Sequence, residues 1–548
     1  MKIRLWIGLC CLAIAGSVHT NAKNVLKTAQ TAVCKITTYT KDGKARTGYG
    51  FFYEKGGKLV SAYDLFKYAT RATVTNSKGQ EYDVTRIIGA SDTYNLVTAR
   101  TNWEKAPFIE IADSGTVCAI LGYGKSKKVK ELKIKDKSSL YSYSYYTYDL
   151  PNDSVLMNLP VVNTEGQVIA ITQANFTKED LLCGIDARVV EALGIKTISF
   201  ADKALTDIYI PKALPDNEQE ALSYLYLAVR QTQTDSLSVE NLISDFLQLY
   251  PDYASEALME RANFYAAHGN YALVAQDYEA ALKAAGKDKK DQVHYAYSKI
   301  LYTYTHFSLT DATQQAREAY AIKPLPIYLQ QLADCYFADK KYQEAAETYK
   351  QLCATELASD YSYFQTVRSL MELPTRDTLQ LIQLLDSAIA KVPKSRKETS
   401  INYYFYRAQL YFGQGEYRKA VFDYNEIEEI NPQKLTPFFY QMRAQSELAA
   451  HMYQQALDDT DRLIIKNPQK AEYYFLKIEV LLSAGEITQA LDVANQCVQK
   501  NPENAAAYRI LGIVQAQAGK KTEAETSLKK AAELGDRTAL ELIDTQRK

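Results

Sequence analysis

The sequence predicts a multidomain chain in which an all-β front half is followed by an all-α repeat array. Three observations carry that prediction. Short β-rich runs separated by turns give way near Asn217 to Ala, Leu, Gln and Glu recurring at helical spacing. Charge divides at the same place: residues 23–200 hold 24 Lys+Arg against 18 Asp+Glu, a net of +6, and residues 201–548 carry −9. Pro432, Pro468 and Pro502 recur at intervals of 36 and 34 residues. The 548 residues, 47% hydrophobic and 24% charged, exclude a disordered, collagenous or disulfide-miniprotein chain. They are enough for about two to four domains. The formal net charge of −1 argues against a generally basic nucleic-acid binder, so no nucleic-acid partner is expected.

Residues 1–22 start with Lys2 and Arg4, run apolar from Leu5 to Val18 and end on Thr20-Asn21-Ala22. This is the pattern of a secretory signal peptide, because an apolar run of that length is too short to cross a bilayer about 30 Å thick. Cys10 and Cys11 lie inside the apolar run without the small residue that lipid attachment needs before them. No later stretch reaches the roughly 18 apolar residues of a membrane span. The chain is therefore expected to be secreted across the inner membrane of a bacterium into the periplasm or cell envelope, with no transmembrane segment in the mature form. Six cysteines remain after cleavage: Cys34, Cys118, Cys183, Cys335, Cys353 and Cys497. Their spacings carry no CxxC or other metal pattern, so buried free thiols are expected, with no cofactor and no metal.

Residues 23–199 read as a β domain. Ala32–Tyr39, Tyr49–Tyr53, Leu59–Ala62, Ala72–Asn76, Tyr82–Ile88 and Cys118–Gly122 are β-rich, and turns such as Asp42-Gly43 and Gly56-Gly57 separate several of them. Many short strands with tight turns indicate a barrel or sandwich. Seven basic residues between Lys125 and Lys137 read as a solvated hairpin. Residues 200–216, with Pro211 and Pro215, read as a linker. Tyr makes up 43 residues of the chain, well above ordinary usage. Tyr141–Tyr148 alone holds five of them, and on a strand it would place Tyr141, Tyr143 and Tyr145 on one face and Tyr146 and Tyr148 on the other. Such a strand is either covered on both faces or an aromatic rim for peptides or glycans.

In the helical half, Tyr404, Ala408, Tyr411, Gly415, Tyr417, Ala420, Tyr424 and Pro432 stand at intervals that place small residues where two helices touch. Gly415 permits the turn between them and Pro432 stops the second helix. Copies follow through Tyr440, Ala444, Ala456 and Pro468, then Tyr474, Gly485, Ala490 and Pro502, then Tyr508, Gly519 and Ala524. Leu258, Ala262, Tyr265, Gly269 and Tyr271 form a good upstream copy, as do Leu329, Ala333, Tyr336, Tyr342 and Ala345. This pattern resembles the tetratricopeptide repeat. The resemblance implies an all-α superhelix of about nine repeats over residues 217–536, closed by a capping helix at 537–548. It also implies a concave groove for protein or peptide partners, lined by Asn263, Tyr297, Gln330, Phe405, Gln409, Gln441, Gln445 and Phe475. These amides and aromatics suit main-chain hydrogen bonds and stacking. They lack the paired Lys and Asn set with which some relatives clamp a carboxylate terminus.

Three stretches of the front half resemble trypsin-like serine proteases of the HtrA type. Thr47-Gly48-Tyr49-Gly50-Phe51-Phe52, leading to Ser61-Ala62-Tyr63-Asp64-Leu65, is similar to the GxGFF strand and TNxHV motif. Asp92–Val97 resembles DxxxDLAL, and Met157–Ile171 resembles SGGPVVNxxGxVIGI. The resemblance implies a double β-barrel over about residues 30–195. It puts Asp64 at the histidine position, Asn95 at the aspartate position and Met157 at the nucleophile. None of the three can do that chemistry, since Met157 has no nucleophilic oxygen. Residues 23–267 contain no histidine at all. Asn158 and Leu159 replace glycines that let the family's backbone form its oxyanion hole. The expected protein is thus a pseudoprotease, not an enzyme, whose groove and degenerate cleft hold peptides or protein partners, with a cell-envelope complex as one setting. Two alternatives stand beside it: an active serine endopeptidase with a rearranged site, using Ser154 with Lys58 or Lys67 as base, and a purely structural envelope-complex subunit.

Overall fold

A computed structural model describes residues 24–113, 115–117, 119–124, 130–174, 180–230 and 236–547. The expected signal peptide, Cys118 and residues 125–129 of the basic run lie outside the described residues. The chain divides into two compact units, Met1–Ala285 and Gly286–Lys548. Among the described residues no helix is long and apolar enough to cross a membrane.

The first unit begins with a helix at residues 24–30 (α1). Six strands then close into a barrel in the order β1-β2-β3-β6-β5-β4. They are β1 (Val33–Thr40), β2 (Ala45–Glu54), β3 (Lys58–Ser61), β4 (Ala69–Thr75), β5 (Glu81–Ser91) and β6 (Leu96–Thr101), with the short helix α2 (Tyr63–Phe66) after β3. Alternation selects the filling: Ile36, Phe51, Leu59, Val74, Ile87 and Leu96 are wholly buried. Gly50 is required where β2 crosses β3, because a Cβ there would stand 2.4 Å from the Val60 carbonyl oxygen.

Seven further strands form one sheet in the order β8-β7-β11-β12-β13-β10-β9. They are β7 (Ala119–Ile120), β8 (Lys130–Glu131), β9 (Ile134–Leu140), β10 (Tyr143–Pro151), β11 (Pro160–Val162), β12 (Val168–Gln173) and β13 (Leu181–Asp186). Among the described residues its edge strands β8 and β9 do not bond to each other, so the first half of the expected double barrel is closed by hydrogen bonds and the second ends on two edges. The edge strand β9 is exposed from Ile134 to Ser139 and carries Lys135 and Lys137, a composition that discourages further strand pairing.

Two expectations need correction. Tyr141 does not lie on a strand face. It occupies the turn between β9 and β10 at φ 54 and is 74% exposed, because the Leu140–Tyr143 pairing leaves only Tyr141 and Ser142 to reverse the chain. Residues 200–216 are not a free tether either. Within them lie α3 (Lys203–Thr206) and a strap in which Ile208, Ile210 and Leu214 are buried at alternate positions. The strap hydrogen-bonds to the barrel: Tyr209 N–H donates to Ala69 O (2.8 Å), Ile87 N–H to Pro211 O (2.8 Å) and Ala213 N–H to Ile87 O (2.7 Å). Prolines are tolerated there because the strap is an edge.

Helices α4 (Glu218–Val229), α5 (Ser236–Leu249), α6 (Ala254–Ala267) and α7 (Tyr271–Ala284) complete this unit. Asn217 caps α4, its side-chain oxygen accepting from the Gln219 and Glu220 amides at 3.0 Å each. Arg86 on β5 makes a bidentate pair with Asp245 on α5 (2.8 Å for both bonds), so the first helices belong to the same compact body as the barrel.

The second unit is wholly helical. It holds α8 (Lys290–Thr303), α9 (Leu309–Ile322), α10 (Pro326–Ala338), α11 (Tyr342–Leu352), α12 (Asp360–Met371), α13 (Thr378–Lys391), α14 (Ser400–Gly413) and α15 (Tyr417–Ile430). After these come α16 (Pro437–Ala449), α17 (Tyr453–Lys466), α18 (Ala471–Ser483), α19 (Ile487–Lys500), α20 (Ala505–Gln517), α21 (Lys521–Glu533) and α22 (Arg537–Arg547). From α4 to α21 the helices make nine successive pairs, and Ala539 and Ile543 of α22 cover Leu528 and Ala531 of α21. Ala408, Ala420 and Tyr424 are fully buried, as their spacing predicts. Gly415 turns between its helices at φ +78, and His451 occupies the same turn one repeat later at φ 59.

Tyr404 and Tyr411 do something the spacing does not reveal. Their rings flank the Arg407 guanidinium at 5.3 and 5.9 Å, and Arg407 reaches Asp423 on the paired helix through two bonds of 2.9 and 2.6 Å. Arg261 with Asp277 and Arg443 with Asp459 repeat this arrangement, each pair 16 residues apart. Much of the tyrosine excess therefore packs against cations as well as against alanines.

Candidate functional site

The three positions expected at the triad, Asp64, Asn95 and Met157, converge. Asp64, Asn95, Ser154 and Met157 line one cleft of about 640 Å³, together with Arg46, Tyr49 and Asn158. Asp64 sits on α2, just past the end of β3, and Asn95 in the β5–β6 turn at φ 48. The Asn95 side-chain oxygen accepts the Asp64 backbone N–H (3.0 Å), while its own carbonyl accepts the Tyr63 N–H (3.2 Å). Arg46 braces the same turn, donating to the carbonyls of Asp64 (2.8 Å) and Lys67. Asn95 is thus a brace for the α2 backbone.

The loop bearing Met157 consumes its own donors. Asp153 caps it by accepting the Val155 N–H on its side chain (3.0 Å), and its carbonyl takes the Leu156 N–H (2.8 Å). The Met157 N–H turns back to Ser154 O (3.4 Å). Asn158 holds the left-handed conformation at φ 60 expected of a glycine, but its N–H goes to Thr172 O (2.8 Å), and the Leu159 N–H goes to Thr172 Oγ1 (2.8 Å). Every amide from Val155 to Leu159 is therefore bonded within the domain. Ser154, on the cleft wall, is exposed. Lys58 is paired with Glu54 (2.9 Å), and neither Lys58 nor Lys67 lines the cleft. Tyr94, next to Asn95, makes edge contacts with Tyr141 and Tyr143, whereas Tyr146 and Tyr148 turn into the core.

Of the eight groove positions, Asn263 lies on α6 of the first unit and the other seven on α8, α10, α14, α16 and α18 of the second. All eight are half-buried. Asn263 accepts the Tyr278 hydroxyl (3.0 Å), Phe405 packs edge-on to Tyr424, and Tyr297 and Phe475 lie against buried clusters. These positions therefore serve helix packing with part of their surface. Sequence reasoning passed over Asp334, one helical turn beyond Gln330. It accepts the hydroxyls of Tyr349 and Tyr361. Burial raises its carboxyl pKa.

Cys34, Cys183, Cys335 and Cys497 are buried and Cys353 half-buried, all as free thiols. Burial pushes the Cys335 and Cys497 thiols up to about 11, away from the reactive thiolate. Among the described residues no group of three or more His, Cys, Asp or Glu side chains could hold a metal.

No curated protein matches the chain. A solved structure of the HtrA-type protease AlgW with tripeptide aligns at 15% identity over 33% of this chain, with a TM-score of 0.28. The aligned part spans 64% of that protease chain, so a third of it has no counterpart in the match. A tetratricopeptide repeat protein from Parabacteroides merdae aligns at 18% identity over 44% of this chain and 93% of its own, with a TM-score of 0.27. MamA aligns at 20% over 30% of this chain and 91% of its own, with a TM-score of 0.26. Two family models match the helical half: one described as anaphase-promoting complex, cyclosome, subunit 3, over residues 449–531, and the tetratricopeptide repeat over residues 401–434. The chain carries tetratricopeptide repeats.

Proposed function

We propose that this protein is a non-catalytic scaffold that binds peptides or protein segments. Tetratricopeptide repeats suggest protein partners, and the helical groove with its amides and aromatics is the primary contact surface in this reading. The barrel cleft is a second binding surface and not a hydrolytic one. The observation that carries the second point is the internal bonding of all five amides from Val155 to Leu159. Acyl transfer needs donors aimed at the developing oxyanion, a general base and a nucleophile; here the donors are spent, the histidine position is Asp64 and the nucleophile position is Met157. We further propose export to the cell envelope, on the strength of the charged and apolar pattern of residues 1–22.

Incubation of the purified full chain with unfolded casein and a fluorophosphonate probe is expected to give neither cleavage nor labelling. Restoring Asp64→His, Asn95→Asp and Met157→Ser together is expected to leave it inert, since the amides remain committed. Labelling that disappears in Ser154→Ala would overturn the reading, as would cleavage by the restored variant. Fractionation of cells expressing the tagged chain checks export; retention in the cytoplasm with residues 1–22 uncleaved would refute that part.

A further inference from the structure

Asp334 is the exception among equivalent residues. In the repeat of α6 and α7, Asn263 accepts the hydroxyl of Tyr278, 15 residues later on the paired helix. In the repeat of α14 and α15, Gln409 stands 15 residues before Tyr424. In the repeat of α10 and α11 the same position is Asp334, and it accepts the hydroxyl of Tyr349, again 15 residues later. A neutral amide therefore suffices for the tyrosine at Asn263, and the buried Tyr424 hydroxyl has no hydrogen-bond partner at all. A carboxylate there adds a charge that packing does not require and that costs desolvation.

That charge is surrounded by rings and lacks a counter-ion. Tyr361 of α12 donates a second hydroxyl to the same oxygen (2.9 Å). Tyr295 and Tyr302 of α8 feel the carboxylate: burial first, then the Asp334 charge, raises the pKa of both hydroxyls, and Tyr361 is pushed up to about 12 by the same two causes. Among the described residues no Lys, Arg or His pairs with Asp334. Of the cations on neighbouring helices, Arg368 lies over Phe337 (4.6 Å) and Lys299 over Tyr295 (5.6 Å), so the Tyr295 ring already carries a cation, whereas among the described residues none lies over Tyr302 or Tyr361. Tyr302 and Tyr361 are each 40% exposed, so the cluster is open to a ligand. The residues around it come from the first helices of three successive repeats, α8, α10 and α12.

We propose that Asp334, together with the rings of Tyr302 and Tyr361, is a binding site for a basic side chain of an extended peptide segment. This rests on the peptide-binding reading above and specifies its ligand chemistry. An ammonium or guanidinium entering between the rings gains a carboxylate partner and aromatic faces together, and the net charge of −9 on residues 201–548 favours its approach.

The test probes an array of randomised 12-residue peptides with the full chain, then resynthesises the strongest binders with each Lys replaced by norleucine or each Arg by citrulline. In the unmodified protein one such replacement is expected to weaken binding about tenfold, the scale of one charge-assisted contact. In Asp334→Asn, which copies the residue at position 263, the same replacement should cost less than twofold, with the unfolding temperature unchanged. If neutral replacements bind as well as the parents, or lose equally in Asp334→Asn, the cation site falls while the peptide-binding reading stands. If no peptide binds above background, both fall.

Discussion

The barrel cleft and the repeat array handle their polar groups in opposite ways. Around Met157, the backbone amides are satisfied within the domain, largely by Thr172 of β12 and Asp153, so that loop offers the cleft no unbonded N–H from Val155 to Leu159. In the repeats the helical backbone satisfies itself from the start, and the surplus polarity is carried by side chains between helices. At Arg407 and Arg443 that polarity is matched by carboxylates; at Asp334 it is matched by neutral donors, the hydroxyls of Tyr349 and Tyr361 and the amide of Gln330. A loop can lose a ligand site by a few amides turning inward, whereas a helical surface gains or loses one by a single side-chain replacement.

The most disruptive way to break this contrast is to remove Arg443. Its side chain is 4% exposed and it faces three carboxylates, Asp459 at 2.7 Å, Glu428 at 2.6 Å and Glu447 at 3.8 Å. Arg443→Leu should cost about 3–5 kcal/mol in denaturant unfolding, because it leaves buried negative charge uncompensated. Adding Asp459→Leu should restore much of the loss; no recovery would mean that the pair acts through something other than charge.

Glu447 sharpens the same point with opposite sign. Burial first, and then the Asp459 charge, pushes its carboxyl up to about 8, and one of its oxygens has no hydrogen-bond partner. The folded form holds the proton more tightly than the unfolded chain, whose carboxyl titrates near 4.3. Its contribution is therefore fully present below about pH 4 and is lost as pH rises towards 8. Glu447→Gln should raise stability at pH 7 by roughly 2 kcal/mol and flatten that part of the pH profile. An unchanged difference between variant and parent from pH 5 to 8 would contradict it.

The smallest effect belongs to the barrel. Thr172→Val removes the acceptor of the Leu159 N–H and the donor to the Leu156 carbonyl, at a cost of about 1 kcal/mol, and should speed hydrogen exchange at Leu159. Unaltered exchange would show that the loop does not depend on this residue.

Much of this architecture was legible along the chain. Helical spacing takes over in the sequence near Asn217, the residue that caps α4, and the six β-rich runs each coincide with a strand. The strand Leu96–Thr101 is not among those runs, since it carries no flanking Gly or Pro on its N-terminal side to mark it off. The strap from Ile208 to Leu214 alternates apolar residues as a strand does, but its two prolines read as a linker. The Arg-to-Asp spacing of 16, present three times, was a visible signal for the buried pairs. Tyr141 was misplaced because alternation alone does not say where a hairpin turns.

What the sequence determined by itself was periodicity: two residues for the barrel, about 34 for the array, and the residue types at the triad positions. Those are properties of neighbours along the chain. Only the tertiary structure decided that the amides of residues 155–159 turn inward, that the strap joins the barrel, and that Asp334 stands among tyrosines from three other helices. Each of these depends on groups far apart in sequence competing for the same hydrogen bonds and the same low-dielectric space, which no local pattern encodes.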